Sequence, residues 1–96
     1  MSEWHLYLIR TSSGALYTGI STDVEKRFEA HRLGRGSKFL RAQGGLELVY
    51  QCSIGDRSLA SQAEYRLKQL EKSSKEKLVI SVPNRDKLLR LLDLAT

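Results

Sequence analysis

Two tyrosines and an arginine, Tyr7, Tyr17 and Arg27, follow one another at ten-residue steps in this chain, and a histidine, His31, stands four residues further on. These residue types suit phosphodiester hydrolysis. The planar guanidinium of Arg27 is always charged and can hold two phosphoryl oxygens at once. A phenol with a reference pKa of ~10 is a weak base at neutral pH unless its charged form is stabilised. A tyrosine beside an arginine and a divalent cation has that stabilisation. Either Tyr7 or Tyr17 could serve as the base, and His31 could relay a proton or hydrogen-bond a tyrosine.

The elements that must position these side chains follow from the local pattern. Trp4 onward alternates as a strand, with Trp4, Leu6 and Leu8 on one face and His5, Tyr7 and Ile9 on the other. Ser12-Ser13-Gly14 reads as a three-residue turn, with Gly14 at a positive φ. An odd turn keeps odd-numbered residues on one face, so Tyr7, Tyr17 and Gly19 share it. Gly19 leaves room for close approach to the backbone. Thr22 and Glu25 read as a capping box opening a helix, with Val24 and Phe28 as its apolar stripe. Arg27 and His31 are spaced i, i+4 along the edge of that stripe.

The rest of the chain reads as support. The helix should stop near Gly34, followed by a basic glycine-bearing loop whose far end Phe39 and Leu40 anchor in the core. Leu46 to Ile54 reads as a third strand with Leu46, Leu48, Tyr50 and Cys52 on one face, paired with the first strand. A helix from Gly55-Asp56 to about Lys72 buries Leu59, Ala63, Leu67 and Leu70, with Glu64 at the border of the stripe. Lys68 is its i+4 partner. Ser73 and Glu76 suggest a cap for a short helix that Pro83 ends. Asn84 to Leu94 reads as a last amphipathic helix with Leu88, Leu91 and Leu92 inward. Its exposed leucines offer a protein-partner surface.

Composition bounds the function. The 96 residues predict one domain over 1–96, with a core from about 4 to 80 and a C-terminal helix over about 84–94. No apolar run approaches the ~20 residues that span a bilayer. The N-terminus lacks signal-peptide regions, so no membrane association and a cytoplasmic location are expected. Cys52 alone makes neither a disulfide nor a thiolate metal site. The net charge of +5 invites a polyanion. Six cations (Lys26, Arg27, Arg32, Arg35, Lys38, Arg41) against one acid, Glu29, lie between positions 26 and 41, beside the tyrosines. Arg35, Lys38 and Arg41 are therefore candidate phosphate contacts, with Gly19 as a point of close approach.

His5-Leu6-Tyr7, Tyr17-Thr18-Gly19, Arg27, His31 and Glu64, in that order and spacing, resemble the GIY-YIG nuclease family. The match covers roughly Trp4 to Leu78 and is nearest the stand-alone, single-domain YhbQ-like group. The resemblance implies an α+β domain, a three-stranded antiparallel sheet flanked by helices. It implies a tyrosine base, for which Tyr7 is favoured, with Tyr17 orienting water. It implies one Mg²⁺ or Mn²⁺ held by Glu64, and no small-molecule cofactor. The expected activity is DNA endonuclease cleavage directed by structure or damage, as in DNA repair, with little sequence specificity. The rival expectation is a non-catalytic nucleic-acid-binding module. Two positions depart from the family: His5 replaces a usual glycine, and Ile20 stands where some relatives carry a lysine.

Overall fold

In a computed structural model, which describes residues 2–94, three antiparallel strands form one sheet in the order β2-β1-β3. The strands are β1 (Trp4–Arg10), β2 (Leu16–Ser21) and β3 (Glu47–Gly55). The hairpin closes as its sequence demands. Thr11 N–H donates to the Ala15 carbonyl at 2.9 Å across the three-residue turn, and Gly14 takes φ +91°. The register sets Tyr7 opposite Gly19 and Ile9 opposite Tyr17, which fixes both tyrosines on one face.

Helix α1 (Val24–Arg32) is capped by Asp23 rather than Thr22: the Asp23 carboxylate accepts from the Lys26 amide at 3.1 Å. The cap thus lies one residue later than the sequence pattern suggests, since a carboxylate competes well for an N-terminal amide. Gly34, at φ +78°, turns the chain after the helix. A short helix α2 (Lys38–Arg41) follows, with Ser37 as its cap. Leu40 is buried as expected, but Phe39 is not a core anchor; it is 48% exposed.

The expected single apolar face of β3 is the largest correction. Leu8 pairs with Tyr50 while Ile9 pairs with Leu48, so Val49 is an extra residue in the ladder. This bulge switches the parity. Tyr50 and Cys52 lie with Leu6 and Leu8, whereas Leu46 and Leu48 pack with Tyr7 and Ile9 on the opposite side.

The two faces are covered differently. Helices α3 (Arg57–Lys68), α4 (Lys72–Ser81) and α5 (Arg85–Leu91) enclose Leu6, Leu8, Tyr50 and Ile54 through Ala60, Ala63, Leu67, Leu78, Leu88 and Leu92. The other face carries a smaller cluster of Tyr7, Ile9, Val24 and Leu40. Helix α3 stops at Lys68, short of Lys72, and buries Ala60 fully while Leu59 is only partly covered. The expected Ser73–Glu76 cap does not form. Glu71 occupies the N-cap position of α4 without a side-chain bond. Glu76 instead makes a two-pronged ion pair with Arg10, at 2.8 and 2.6 Å, which holds its carboxyl below the usual range. In α5, which ends at Leu91 rather than Leu94, Leu89 faces inward and Leu91 outward. Among the described residues no helix is long and apolar enough to cross a membrane.

Candidate active site

The tyrosine-bearing face of the sheet and the C-terminal half of α1 meet at a buried polar pair. Tyr7 Oη lies 3.1 Å from His31 Nε2. Tyr7 is 1% exposed and His31 2%. Their meeting depends on Gly19. A Cβ there would fall within 3.0 Å of the Tyr7 ring and closer still to its hydroxyl, so any side chain would displace the phenol. The alternation of β1, the hairpin parity and the i, i+4 step of α1 together deliver the contact.

The pair is tuned by its surroundings. Burial first, then Tyr17 and least Glu64 push the Tyr7 hydroxyl up, Arg27 pulls it down, and the balance is about 12. The His31 imidazole is lowered from 6.5, first by burial and then by the positive charge of Arg27. Tyr7 is therefore a neutral phenol and His31 a neutral imidazole at pH 7.

The far side of the ring is enclosed as well. His31 Nδ1 is buried, and no hydrogen bond of good geometry closes on it among the described residues. The Arg35 backbone favours the protonated ring against burial and the Arg27 charge. The Arg35 amide itself is committed to the Ala30 carbonyl at 2.8 Å. With its proton on Nδ1 the imidazole leaves Nε2 to accept from the Tyr7 hydroxyl.

The other sequence candidates fall at different distances from this pair. The Tyr17 ring lies edge-on to His31, with centroids 5.5 Å apart. Arg27 is exposed and close enough to shift both members of the pair. Arg35, Lys38 and Arg41 are exposed in the segment that runs past His31, and none has an acidic ion-pair partner among the described residues. Glu64 comes from the opposite layer. Its side chain is 26% exposed, and its carboxylate lies 3.4 Å from Lys68 Nζ. Among the described residues no group of three or more His, Cys, Asp or Glu could hold a metal, so a metal at Glu64 would have fewer than three such ligands.

Two residues outside the sequence candidates belong to the site. The Phe39 ring lies nearly parallel to Tyr17, at 12° and 6.4 Å between centroids. Gly36, at φ +91°, lies against the catalytic candidates; a Cβ there would sit 3.2 Å from His31 Cε1 and 3.7 Å from Arg27 Cζ. The sequence signals were present but ambiguous. An aromatic after a basic loop serves a core or a surface equally well, and one glycine in a loop does not reveal what it touches.

Residues 3–77 match the GIY-YIG catalytic domain. The chain belongs to the GIY-YIG family. Membership places it among nuclease domains that act on nucleic acid. The GIY-YIG chain is 56% identical to a UPF0213 protein of Yersinia enterocolitica over 99% of its own length and 96% of that protein. It is 60% identical to a UPF0213 protein of Yersinia pestis over 85% of its length and 86% of the relative. Two solution NMR structures are similar. The UPF0213 protein of Bacillus halodurans is 33% identical, with a TM-score of 0.53 over 81% of this chain and 83% of that one. The E. faecalis protein EF2693 is 25% identical, with a TM-score of 0.59 over 84% and 86%. These neighbours share the three-stranded antiparallel sheet flanked by helices.

Proposed function

We propose that this chain is a divalent-metal-dependent endonuclease that hydrolyses phosphodiester bonds in DNA, directed by structure or damage with little sequence specificity. The observation that carries the proposal is the buried Tyr7–His31 contact beside an exposed Arg27. A phenol at about 12 does not take a proton from water by itself. A relay removes the difficulty. As Tyr7 Oη accepts the proton of the attacking water, it passes its own to His31 Nε2, so no free phenolate forms. The imidazolium that results is balanced by the negative charge gathering on the phosphoryl oxygens. Arg27 holds those oxygens in its planar fork. Tyr17, on the same face, orients the water.

The donor chemistry at Glu64 fits Mg²⁺ or Mn²⁺. Both are hard cations that accept a single protein carboxylate and complete their shells with water and phosphate oxygens. Glu64 would hold one such ion, which when bound supplies charge neutralisation and leaving-group stabilisation. Lys68 would then yield its partner to the ion.

The stacked Phe39 and Tyr17 favour one rival, a binding module that stacks bases without cutting. A nicking assay on plasmid and branched DNA separates the two. Cleavage with Mg²⁺ or Mn²⁺, abolished by chelator and in Glu64→Gln while DNA binding persists, is the expected result. Salt-dependent binding with no cleavage of any substrate would establish the binding module instead.

A further inference from the structure

Beside His31 a cleft of about 360 Å³, which Tyr7 and Arg27 do not line, opens between the end of α1 and the segment leading into β3. Its polar lining comes from His31, Arg32, Arg41, Gln43, Gly44 and Gly45. No aspartate or glutamate lines it. We infer that this cleft is a second anion site, which holds one phosphate group of the nucleic acid apart from the phosphate at Arg27.

The donors are arranged for an anion. Arg32 gives one guanidinium N–H to Glu29 at 2.8 Å, and its others have no partner among the described residues. Arg41 has no acidic ion-pair partner among the described residues. The backbone adds more donors. The Gly44 carbonyl is taken by the Ser12 amide at 3.1 Å, whereas the Gly44 and Gly45 amides appear in none of the turn and loop hydrogen bonds of the described residues. Gly45 has φ +59°, and a Cβ on it would press to 3.2 Å from the Ser12 Cβ. Glycine there lets the chain turn tightly beneath the cleft and leaves the amides open, as in backbone concavities that bind anions. A planar guanidinium beside such amides suits tetrahedral phosphate oxygens.

The cleft shares His31 with the candidate active site. Neither Tyr7 nor Arg27 lines it, so a phosphate held there positions the strand and acts on binding rather than on the chemical step. This inference rests on the nuclease reading only for the source of the phosphate: an internal backbone group or a terminal 5′-phosphate.

The test begins with inorganic phosphate titrated into ¹⁵N-labelled protein at constant ionic strength. Saturable shifts should concentrate at Gly44 and Gly45. Arg41→Ala, an exposed change, should weaken them roughly tenfold or more, and Arg41→Lys should restore part of the loss. Absent shifts, or shifts spread evenly over the lysines of α4, would overturn the site. Binding of one oligonucleotide with and without a 5′-phosphate identifies the source. A loss in Arg41→Ala confined to the phosphorylated form assigns a terminal phosphate. An equal loss for both assigns a backbone phosphate, and no loss for either overturns the site. Glu64→Gln separates this failure from that of the nuclease reading, because it should keep the phosphate shifts whether or not wild type cuts DNA.

Discussion

Two tyrosines, one on each face of the sheet, bury their rings almost completely, and burial raises the hydroxyls of both. Their partners differ. Tyr50 donates to the Pro83 carbonyl at 2.7 Å, an acceptor that takes no proton at neutral pH. Tyr7 meets an imidazole at 3.1 Å, which can take one. The Tyr50 face is closed by three helices, while the Tyr7 face ends in an exposed arginine and a basic segment. A buried phenol is thus a structural strut or a proton carrier according to the basicity of the group it touches.

The largest expected effect breaks this comparison most directly. Tyr7→Phe should lower turnover on the order of 10²–10³ or more, the usual cost of losing a well-placed group. Tyr50→Phe should leave turnover unchanged. Each should cost about 1–2 kcal/mol of stability, because each leaves one buried acceptor unpaired. Denaturant melts and single-turnover rates on both variants test the contrast. Equal rates would make the two tyrosines equivalent struts.

Arg27→Lys comes next. A point charge cannot hold two oxygens in one plane, so turnover should fall by about 10² while DNA affinity changes little. A fall in affinity alone, measured beside rates at saturating DNA, would make Arg27 a binding residue.

Acidity sharpens the difference between the faces. His31 accepts a proton only when neutral, and its pKa is lowered from 6.5. The rate should hold from pH 8 past 6.5 and fall once pH drops through that lowered value. Stability follows the same group. The unfolded chain takes up this proton near 6.5 and the folded chain resists it. The stabilisation is therefore complete above 6.5 and lost as pH falls toward the folded value. Tyr7 acts at the other end, where stability should drop as pH rises from 10 toward about 12. His31→Gln keeps an acceptor and cannot titrate, so its rate should be low and lack the acid limb. An acid limb unchanged in His31→Gln would assign it to another group.

The smallest effects concern surface charge. Arg35→Ala and Lys38→Ala should each reduce the slope of log affinity against log salt by about 0.9 on duplex DNA, if each meets one phosphate. Unchanged slopes in both would place the phosphates elsewhere.

Much of this arrangement was legible before any coordinates. Hairpin parity put Tyr7, Tyr17 and Gly19 on one face because an odd turn and period-two strands leave no alternative. The i, i+4 step of Arg27 and His31 carried over into α1 for the same reason. Other features were hidden by local competition. Val49 reads as an ordinary strand residue, since a bulge is a property of pairing and not of residue type. Glu76 looked like a cap, but a two-pronged ion pair with distant Arg10 uses its carboxylate. Leucines at 88, 89, 91 and 92 surround much of a seven-residue helix, so periodicity could not choose the exposed one. Phe39 and Gly36 gave no sign of their neighbours because the loop that carries them has no period.

The extra residue at Val49 also bears on how the molecule comes apart. It lets one strand serve two hydrophobic clusters, with Leu46 and Leu48 in one and Tyr50 and Ile54 in the other. Neither layer can lose its share of β3 without loosening the other. Melting should therefore be a single cooperative event, seen at the same midpoint by a probe beside Tyr7 and by one beside Trp4. The Tyr7–His31 face has no independent route to partial unfolding, and its geometry should persist up to the temperature at which the whole sheet dissolves.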